Sequence, residues 1–486
     1  MRLEIVIMPD IRIVFDVWLL IIPLFFHALG LYCVADIIMN GRTSQGTIAW
    51  AMALLLFPYL VVPIYMVFGG RKLRDYAVAR QAGDRAINHL GRQLESSEEL
   101  RELAGELRDP QIDALCNIAR LPVAGWNRCN LLIDGEQTFT SILEGIRRAE
   151  KYVLVQFFII HDDGIGRQVR DLCIAKARTG VPVYFLYDKI GCAGLPKSYL
   201  EPMVAAGVKV SVFRVGRGFI NRFRVNFRNH RKIVVVDGQT AWVGGHNVGD
   251  EYLGKSKRFD TWRDTHVIMR GPVALPVQLS FCEDWYWATE TLPEVSWEAP
   301  AKKGKEAVLC MPTGPSDSFE TGALWVVHAI NMAWERCWIL SPYFVPDSSV
   351  INALQLAALR GVDVRIVIPA NPDKRVVWWA AHSYFKTMGE VGVSILRYQK
   401  GFMHQKVVLV DDRLATIGTS NLDNRSLRIN FEITMMFTER AFIQRVAAMC
   451  ETDFTACVPL TPAEVKSWPL HFRLATRAAR LLSPIL

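Results

Sequence analysis

A short pattern of histidine, lysine and aspartate occurs twice in this chain of 486 residues, and the duplication constrains the fold more than any other feature. The two copies comprise His230, Lys232 and Asp237, and then His404, Lys406 and Asp411. Each copy is followed by a Gly-x-x-Asn tail, which ends at Asn247 in the first copy and at Asn421 in the second. One such copy is weak evidence, but two copies with matching tails predict a duplicated body with one paired site.

Longer stretches around the motifs repeat as well. ARTGVPVYFLYD matches ALRGVDVRIVIP, and VAAGVKVSVFR matches GEVGVSILRYQ. Each half therefore predicts helix, buried strand, helix, strand, helix, strand and motif hairpin. This pattern is typical of an α/β fold, here two related mixed-sheet halves covered by helices.

The runs that follow the histidines, KIVVVD and KVVLVD, are rich in β-branched residues. On a strand, the period of two places the histidine and lysine of each motif on one face. Asp237 and Asp411 begin turn signals, and the next runs complete hairpins that return each tail asparagine to its histidine. Because the aspartates lie at an odd offset from the histidines, a structural part is favoured for them over proton transfer.

Two imidazoles, two ammonium groups and two carboxamides suit one phosphodiester. Lys232, Lys406, Asn247 and Asn421 are predicted to hold its non-bridging oxygens. One imidazole would attack phosphorus while the other protonates the leaving oxygen, with no metal or cofactor required. A lone histidine is more often a hydrogen-bonded structural residue, but the recurrence of the lysine and the tail favours the catalytic interpretation. The residues alone do not rank the two histidines.

At these motifs the chain resembles the phospholipase D superfamily, in which two such motifs form one active site across a pseudo-twofold axis. The resemblance implies a phosphohistidine intermediate, with His230 as nucleophile and His404 as general acid and then base. It also implies that a carboxylate on a later strand holds the far nitrogen of each histidine. Asp264 and Glu432 fall at corresponding places in the two halves, although a surface charge at a strand edge is the alternative.

One position departs slightly from the family pattern. Thr419 stands where the family often has serine, so it keeps a hydroxyl and is a further candidate for phosphate binding. Gly245 takes the matching place in the first half, where no side-chain hydroxyl is available.

Two apolar segments near the amino terminus, at about 15–36 and 47–68, are each long enough to cross a membrane. Basic residues flank the pair and are scarce in the short connection, so the positive-inside rule places both ends in the cytoplasm. A cleaved signal peptide is not predicted, because a second apolar segment follows. For His27 in the first segment, a hydrogen bond to the partner helix is favoured over a functional role.

The chain is therefore predicted to consist of six segments. They are a transmembrane hairpin (1–72), a helical connector (73–122), a first phospholipase D-like half (123–295, motif 230–247), a linker (296–307), a second half (308–460, motif 404–421) and a basic amphipathic tail (461–486). The tail could lie in the headgroup layer or pack against the catalytic core. Ten cysteines without paired spacing indicate a reducing compartment.

A basic insertion precedes the first motif. It alternates arginines with Phe219, Phe223 and Phe227, which suits an anionic lipid surface, a solvated basic hairpin or a nucleic acid. The net charge of +8 fits lipid and nucleic acid equally well. The apolar segments favour a membrane, so no nucleic acid partner is expected.

Taken together, the apolar hairpin and the stretches GGHNVGDEYLG, WRDTH, GTSNLDNRS and LLSPIL resemble the bacterial cardiolipin synthases of the phospholipase D type over nearly the whole chain. The resemblance implies a phosphatidyltransferase of the inner membrane, with its catalytic body on the cytoplasmic side. One phosphatidylglycerol would donate its phosphatidyl group to a second, giving cardiolipin and glycerol. The sequence leaves open the oligomeric state and whether phosphatidylethanolamine also serves as donor.

Two other functions use the same residues. A membrane-tethered hydrolase of this superfamily would transfer to water and cleave a lipid or nucleic acid phosphodiester, and a scaffold would bind anionic lipid without turnover. A synthase needs lipid rather than water at its intermediate, which predicts an apolar entrance. Candidate lining residues, for which core packing is the alternative, are Phe157, Phe158, Tyr343, Phe344, Trp378 and Trp379.

Overall fold

A computed structural model describes residues 9–40, 44–69, 109–214, 227–256, 258–298 and 300–486. Among these residues, contacts within the chain separate an N-terminal unit, 9–40 and 44–69, from a larger unit that comprises the rest. The first part of the predicted connector and Phe219 and Phe223 of the basic insertion lie outside the described residues.

The described residues of the N-terminal unit form three apolar helices. They are α1 (Pro9–Asn40), α2 (Ser44–Leu56) and α3 (Pro58–Phe68). Within α1, Trp18–Asn40 is long and apolar enough to cross a membrane, and it is the one such helix in the described part of the chain. The three helices share a small core made of Cys33, Ile37, Leu54, Val61, Val62 and Tyr65.

The second predicted span is not one continuous helix. It is interrupted at Phe57, because Pro58 has no N–H to donate and occupies the first turn of α3. The predicted bond from His27 to a partner helix is also wrong. Its Nδ1 lies 2.8 Å from the carbonyl oxygen of Pro23 in the same helix, and its ring meets Tyr59 of α3 edge-on.

The first half of the larger unit alternates helices and strands as its sequence predicts. Its elements are α4 (Pro110–Ala119), β1 (Ala124–Ile133), α5 (Asp134–Arg148), β2 (Val153–Phe157), α6 (Gly164–Arg178), β3 (Val183–Asp188), α7 (Lys197–Ala205), β4 (Lys209–Phe213), β5 (Ile233–Val236), β6 (Thr240–Gly244), a 3-10 turn (Asp250–Leu253), β7 (Trp262–Arg263), β8 (Thr265–Arg270) and α8 (Ala274–Thr289).

The second half repeats this order. Its elements are β9 (Glu306–Thr313), α9 (Thr321–Met332), β10 (Arg336–Leu340), β11 (Phe344–Val345), α10 (Ser348–Leu359), β12 (Asp363–Pro369), α11 (Arg375–Gly389), β13 (Ser394–Tyr398), β14 (Phe402–Met403), β15 (Val407–Val410), β16 (Leu414–Gly418), β17 (Leu422–Asp423), α12 (Asn424–Arg428), β18 (Glu432–Phe437), α13 (Arg440–Phe454), β19 (Cys457–Pro459), α14 (Pro462–Ser467), α15 (Leu470–Arg480) and a 3-10 turn (Ser483–Ile485).

Both halves contribute to one sheet of 15 strands, in the order β19-β13-β12-β10-β15-β16-β18-β9-β1-β8-β6-β5-β2-β3-β4. In each half three parallel strands, β2-β3-β4 or β10-β12-β13, adjoin an antiparallel set, β5-β6-β8 or β15-β16-β18. The halves meet where β1 pairs antiparallel with β9. The duplicated α/β architecture predicted from the repeat is confirmed.

The tail packs against the second half. Trp468 and Phe472 contact rings on α11, with centroids 5.4 Å from His382 and 5.7 Å from Trp378. Of the two alternatives for the tail, the structure shows packing against the core. The segment boundaries predicted from the sequence stay predictions, and β9 begins at Glu306, inside the predicted linker.

Candidate active site

The two motifs lie at equivalent points of the sheet. The strands that carry them, β5 and β15, begin one residue after each motif lysine, so the histidines stand just before the strands rather than on them. His230 and His404 both line one cavity of about 530 Å³ in the larger unit. The structure therefore brings the two motifs together at a single site.

The backbone of each motif forms a hydrogen bond with the opposite half. The N–H of His230 donates to the carbonyl of Phe431 at 2.9 Å, and the N–H of His404 donates to the carbonyl of Arg263 at 2.8 Å. Each acceptor directly precedes one of the two acids that the family resemblance implies. The chain order thus places Glu432 beside His230 and Asp264 beside His404.

The side chains repeat this crosswise arrangement. Nδ1 of His230 donates to Oε2 of Glu432 at 2.9 Å, and Nδ1 of His404 donates to Oδ2 of Asp264 at 2.7 Å. Both acids are fully buried, so the surface-charge alternative is wrong for them. Because Nδ1 is occupied, Nε2 of each imidazole is the nitrogen left for a substrate.

Burial sets the protonation of both imidazoles. Desolvation, followed by the charge of Lys232, lowers the pKa of His230 well below its ordinary value. Desolvation and then the charge of Lys406 lower the pKa of His404 to about 4. Both rings are therefore neutral at pH 7, which is the form a nucleophile requires. A bound phosphate anion would raise the pKa of His404 and favour the acid form.

The two acids differ in their charge state. Burial raises the pKa of Glu432 to about 7, although Lys232 opposes this shift. Burial also raises the pKa of Asp264, but the charges of Lys406, His246 and His404 outweigh that effect and hold its pKa below the ordinary value. The pair of His404 and Asp264 therefore carries a permanent negative charge, whereas the pair of His230 and Glu432 can take up a proton near neutral pH.

The motif lysines are buried next to their histidines. Nζ of Lys232 donates to the carbonyl of His230 at 2.7 Å, and Nζ of Lys406 donates to the carbonyl of His404. Burial lowers the pKa of Lys406 to about 8 and that of Lys232 well below its ordinary value. An anion bound between the motifs would favour the charged form of both lysines.

The residues of the two Gly-x-x-Asn tails have roles that differ in part from the prediction. Asn247 and Asn421 line the cavity as expected. The hydroxyl of Thr419 donates to Oε2 of Glu432 at 2.6 Å and does not line the cavity, so the phosphate-binding role predicted for it is not supported. At the matching place, a side chain on Gly245 would meet Asp264, since its Cβ would lie 2.0 Å from Oδ1. Both positions serve the acids rather than the substrate.

The motif aspartates lie at the far ends of β5 and β15, and neither lines the cavity. The carboxylate of Asp237 accepts the N–H groups of residues 150–152, and that of Asp411 accepts those of residues 334–336. Both have positive φ angles, 56° and 49°, at the hairpin turns. These contacts support the structural part that the sequence favours for the two aspartates over proton transfer.

Replacing Asp237 or Asp411 with alanine should therefore lower stability rather than alter the chemistry. Three N–H groups lose their charged acceptor, and we expect the free energy of unfolding to fall by about 1 to 3 kcal/mol for each variant. Denaturant unfolding in detergent measures this change. The turnover number per folded molecule should stay within about twofold of wild type, and a much larger loss in well-folded protein would return these residues to the mechanism.

The cavity has further lining residues that the motifs do not reveal. Among the predicted aromatics, Phe158 and Tyr343 line it, whereas Phe157 and Phe344 are buried in the core and Trp378 packs on the tail. The additional charged, aromatic and apolar residues are Arg228, Glu251, Tyr252, Arg258, Phe259, Trp262, Asp373, Lys374, Asp423, Arg425, Ile485 and Leu486. Several of these residues follow the ends of strands, where α/β proteins commonly bind their ligands. A position after a strand does not, however, identify which side chains line the cavity.

The crosswise bond to His404 gives a direct test of the arrangement. Asp264→Asn keeps the size of the side chain but removes the charge that fixes the imidazole tautomer, and we expect the turnover number to fall by about 10²- to 10⁴-fold. Steady-state assays measure the loss, and circular dichroism checks that the variant folds. Asp453→Asn is unsuitable as a control because its carboxylate binds Arg263, whereas the exposed Asp171→Asn is a matched one.

The fold and the paired, acid-supported imidazoles define a phospholipase D-type enzyme. A family model described as "Cardiolipin synthase, PLD-like domain" matches residues 142–269 and 326–454, and one described as "Phospholipase_D-nuclease N-terminal" matches residues 28–70. The chain is 46% identical to cardiolipin synthase A of Pseudomonas putida over 95% of this chain and 97% of that one. It is 44% identical to cardiolipin synthase A of Pseudomonas aeruginosa, over 95% and 94%.

The fold is also that of phosphatidylserine synthase from Haemophilus influenzae, with a TM-score of 0.59 and 16% identity over 78% of this chain and 100% of that chain. The chain belongs to the cardiolipin synthase family. It is a phosphatidyltransferase of the membrane that acts on phospholipids, and the resemblance drawn from its motifs is confirmed.

Proposed function

We propose that this enzyme transfers a phosphatidyl group from one phosphatidylglycerol to another, giving cardiolipin and glycerol through a phosphatidyl-histidine. The observation that carries the proposal is the crosswise pair, in which two imidazoles with engaged Nδ1 atoms face one cavity. A double displacement at phosphorus needs two such groups, one to form a covalent bond and one to move protons.

In the first step, Nε2 of His230 attacks phosphorus and the bond to the glycerol oxygen breaks. His404, which takes up a proton at Nε2 when the anionic substrate binds, gives that proton to the leaving oxygen, and glycerol leaves. The positive charge that develops on the His230 ring is stabilised by Glu432, and Lys232 and Lys406 offset the charge on the phosphate oxygens. Asn247 and Asn421 line the cavity, and their amide groups would donate to the same oxygens.

In the second step, a hydroxyl of another phosphatidylglycerol gives its proton to Nε2 of His404. The new P–O bond forms as the P–N bond to His230 breaks, and cardiolipin is released. The imidazole of His404 is neutral after the first step, and the charged Asp264 at its Nδ1 favours the uptake of this proton.

The lining of the cavity supports a lipid acceptor. Phe259, Trp262, Ile485 and Leu486 present apolar surface around the phosphate-binding centre. Three cations, Arg228, Lys374 and Arg425, line it, whereas the two buried motif lysines do not. One phosphodiester does not need so many cations, whereas a reaction that joins two anionic lipids does.

The membrane arrangement is part of the proposal. We infer that α1 and the pair α2 and α3 form a multi-pass anchor in the inner membrane, with both ends of the chain in the cytoplasm. The positive-inside distribution of arginine and lysine supports this orientation. An anchor keeps the site next to the bilayer that holds both substrates, which raises their effective concentration.

Product analysis tests the proposal. Purified enzyme in mixed micelles of phosphatidylglycerol and detergent is expected to give cardiolipin and glycerol in equal amounts, measured by mass spectrometry and an enzymatic glycerol assay. Phosphatidic acid as the sole lipid product would show a hydrolase instead. Unchanged lipid in the presence of well-folded protein would support a scaffold.

A further inference from the structure

Three carboxylates line the cavity, and the two that hold the histidines are not among them: Glu251, Asp373 and Asp423. Carboxylates repel phosphate, so each needs a reason to be there. Asp423 accepts the N–H of Ser426 at 2.7 Å as the N-cap of α12, and Asp373 accepts the Tyr343 hydroxyl at 2.6 Å. Each of these two acids has a short hydrogen bond to the protein, whereas the ion pair of Glu251 with His161 is longer, at 3.7 Å.

The backbone turn explains why Glu251 reaches the cavity. Its neighbour Asp250 accepts the N–H groups of Gly164 and Ile165 at the start of α6, which fixes the 3-10 turn of residues 250–253. On the other side, Tyr252 is buried and its hydroxyl accepts from Nδ2 of Asn247 at 3.0 Å. With both neighbours held, the Glu251 side chain is directed into the cavity.

Glu251 lies on the His404 side of the site, because the ring of its neighbour Tyr252 is 4.8 Å from that of Trp262, and Trp262 is 5.3 Å from the ring of His404. Its Oε1 is 3.7 Å from Nε2 of the partly exposed His161. That interaction is the main cause of a lowered pKa for Glu251 and outweighs the opposing effect of burial. A carboxylate held ionised beside the proton-transferring imidazole is an acceptor for donors on the group that enters or leaves there.

We infer that Glu251 recognises the polyol head group, accepting hydrogen bonds from the free hydroxyls of the glycerol that leaves, or of the phosphatidylglycerol that attacks, beside His404. This inference rests on the proposed function, because His404 marks the head-group side only if it exchanges a proton with that group. A glycerol oxygen that reacts at phosphorus has a second hydroxyl on the next carbon. An ionised carboxylate favours such a diol over an alcohol with one hydroxyl.

A competition between two acceptors tests the inference. With phosphatidylglycerol as donor, wild type is offered equal concentrations of isotopically labelled glycerol and 1-propanol. Both acceptors attack the same phosphatidyl-His230, forming a P–O bond and breaking the P–N bond while His404 takes the proton. The ratio of labelled phosphatidylglycerol to phosphatidylpropanol, read by mass spectrometry, therefore reports acceptor choice alone.

For Glu251→Gln we expect this ratio to fall by about tenfold, the effect of weakening one charge-assisted hydrogen bond. Unfolded molecules give neither product, so the ratio reflects folded enzyme only. Glu251→Asp, which withdraws the carboxylate by one methylene, gives a second measurement and should lower the ratio by a smaller factor. Glu201→Gln, an exposed change on α7, is the control and should leave the ratio unchanged.

The outcomes separate this inference from the proposed function. If wild type makes neither product from labelled glycerol or 1-propanol, the phosphatidyl transfer itself is wrong. If wild type makes both and the Glu251 variants keep its ratio, transfer stands and the role of Glu251 in head-group recognition is overturned. A fall of both products by one common factor also overturns it, because it would show an effect on His404 rather than on the acceptor.

Discussion

His230→Ala is expected to abolish cardiolipin formation, with a loss of roughly 10⁴-fold or more in turnover number. Without this imidazole no P–N bond can form, and neither half-reaction proceeds. The lysines and His404 remain, so phosphatidylglycerol should still bind. Radiolabelled phosphatidylglycerol in mixed micelles measures the loss of product.

The control for this variant is His471→Ala, an exposed histidine on α15 that does not line the cavity. It should retain wild-type turnover. A His230→Ala protein that folds and retains more than about one hundredth of wild-type activity would show that the nucleophile lies elsewhere.

His404→Ala is expected to be nearly as severe with phosphatidylglycerol, at about 10³-fold or more, but to fail in a different way. The variant cannot protonate the leaving glycerol, nor can it deprotonate the acceptor. A donor that carries p-nitrophenol in place of glycerol needs no proton on its leaving group. With that donor the first step should proceed and the second should stall.

Stopped-flow absorbance tests this behaviour. We expect a burst of p-nitrophenolate equal to one per active site, followed by little further release. Sustained turnover would show that another group acts as the base in the second step. The absence of a burst in folded protein would show that His404 is needed to attack phosphorus, which would reverse the two roles.

The convergence of the motifs was predictable from the sequence because it depends on local patterns. The β-branched runs, the turn residues and the internal repeat together place two similar hairpins in two similar halves. The two acids could also be found, since Asp264 and Glu432 occupy equivalent positions. The pairing of each acid with the histidine of the opposite half could not be predicted. It depends on the pairing of β7 with β14 and on the bridge between Asn229 and Phe431. Contacts of this kind between the two halves cannot be predicted from the spacing of residues along the chain.

Other features depended on three-dimensional detail that patterns do not contain. The hydroxyl of Thr419 is directed at Glu432 rather than at the cavity, which only the path of β18 decides. Pro58 marks the break between α2 and α3, but a proline does not by itself predict a break. Pro23, for example, lies within the continuous helix α1. The sequence does not indicate that Glu251 lines the cavity, because the contacts of its neighbours, rather than its residue type, direct its side chain there.

The two halves are similar but not equivalent, and the difference is chemical. Glu432 is held by the Thr419 hydroxyl and has a pKa of about 7, whereas Asp264 faces Gly245 and remains ionised. A proton can therefore be lost from the pair of His230 and Glu432 as positive charge develops on His230. The permanent charge of Asp264 instead favours repeated protonation of His404.

The covalent adduct tests the central claim most directly. His404→Ala enzyme is incubated with the p-nitrophenol donor, digested at alkaline pH because phosphoramidates are labile in acid, and mapped by tandem mass spectrometry. We predict a phosphatidyl group on the peptide that contains His230. Release of p-nitrophenol with the adduct on a different residue, or with no adduct on any peptide, would contradict the account.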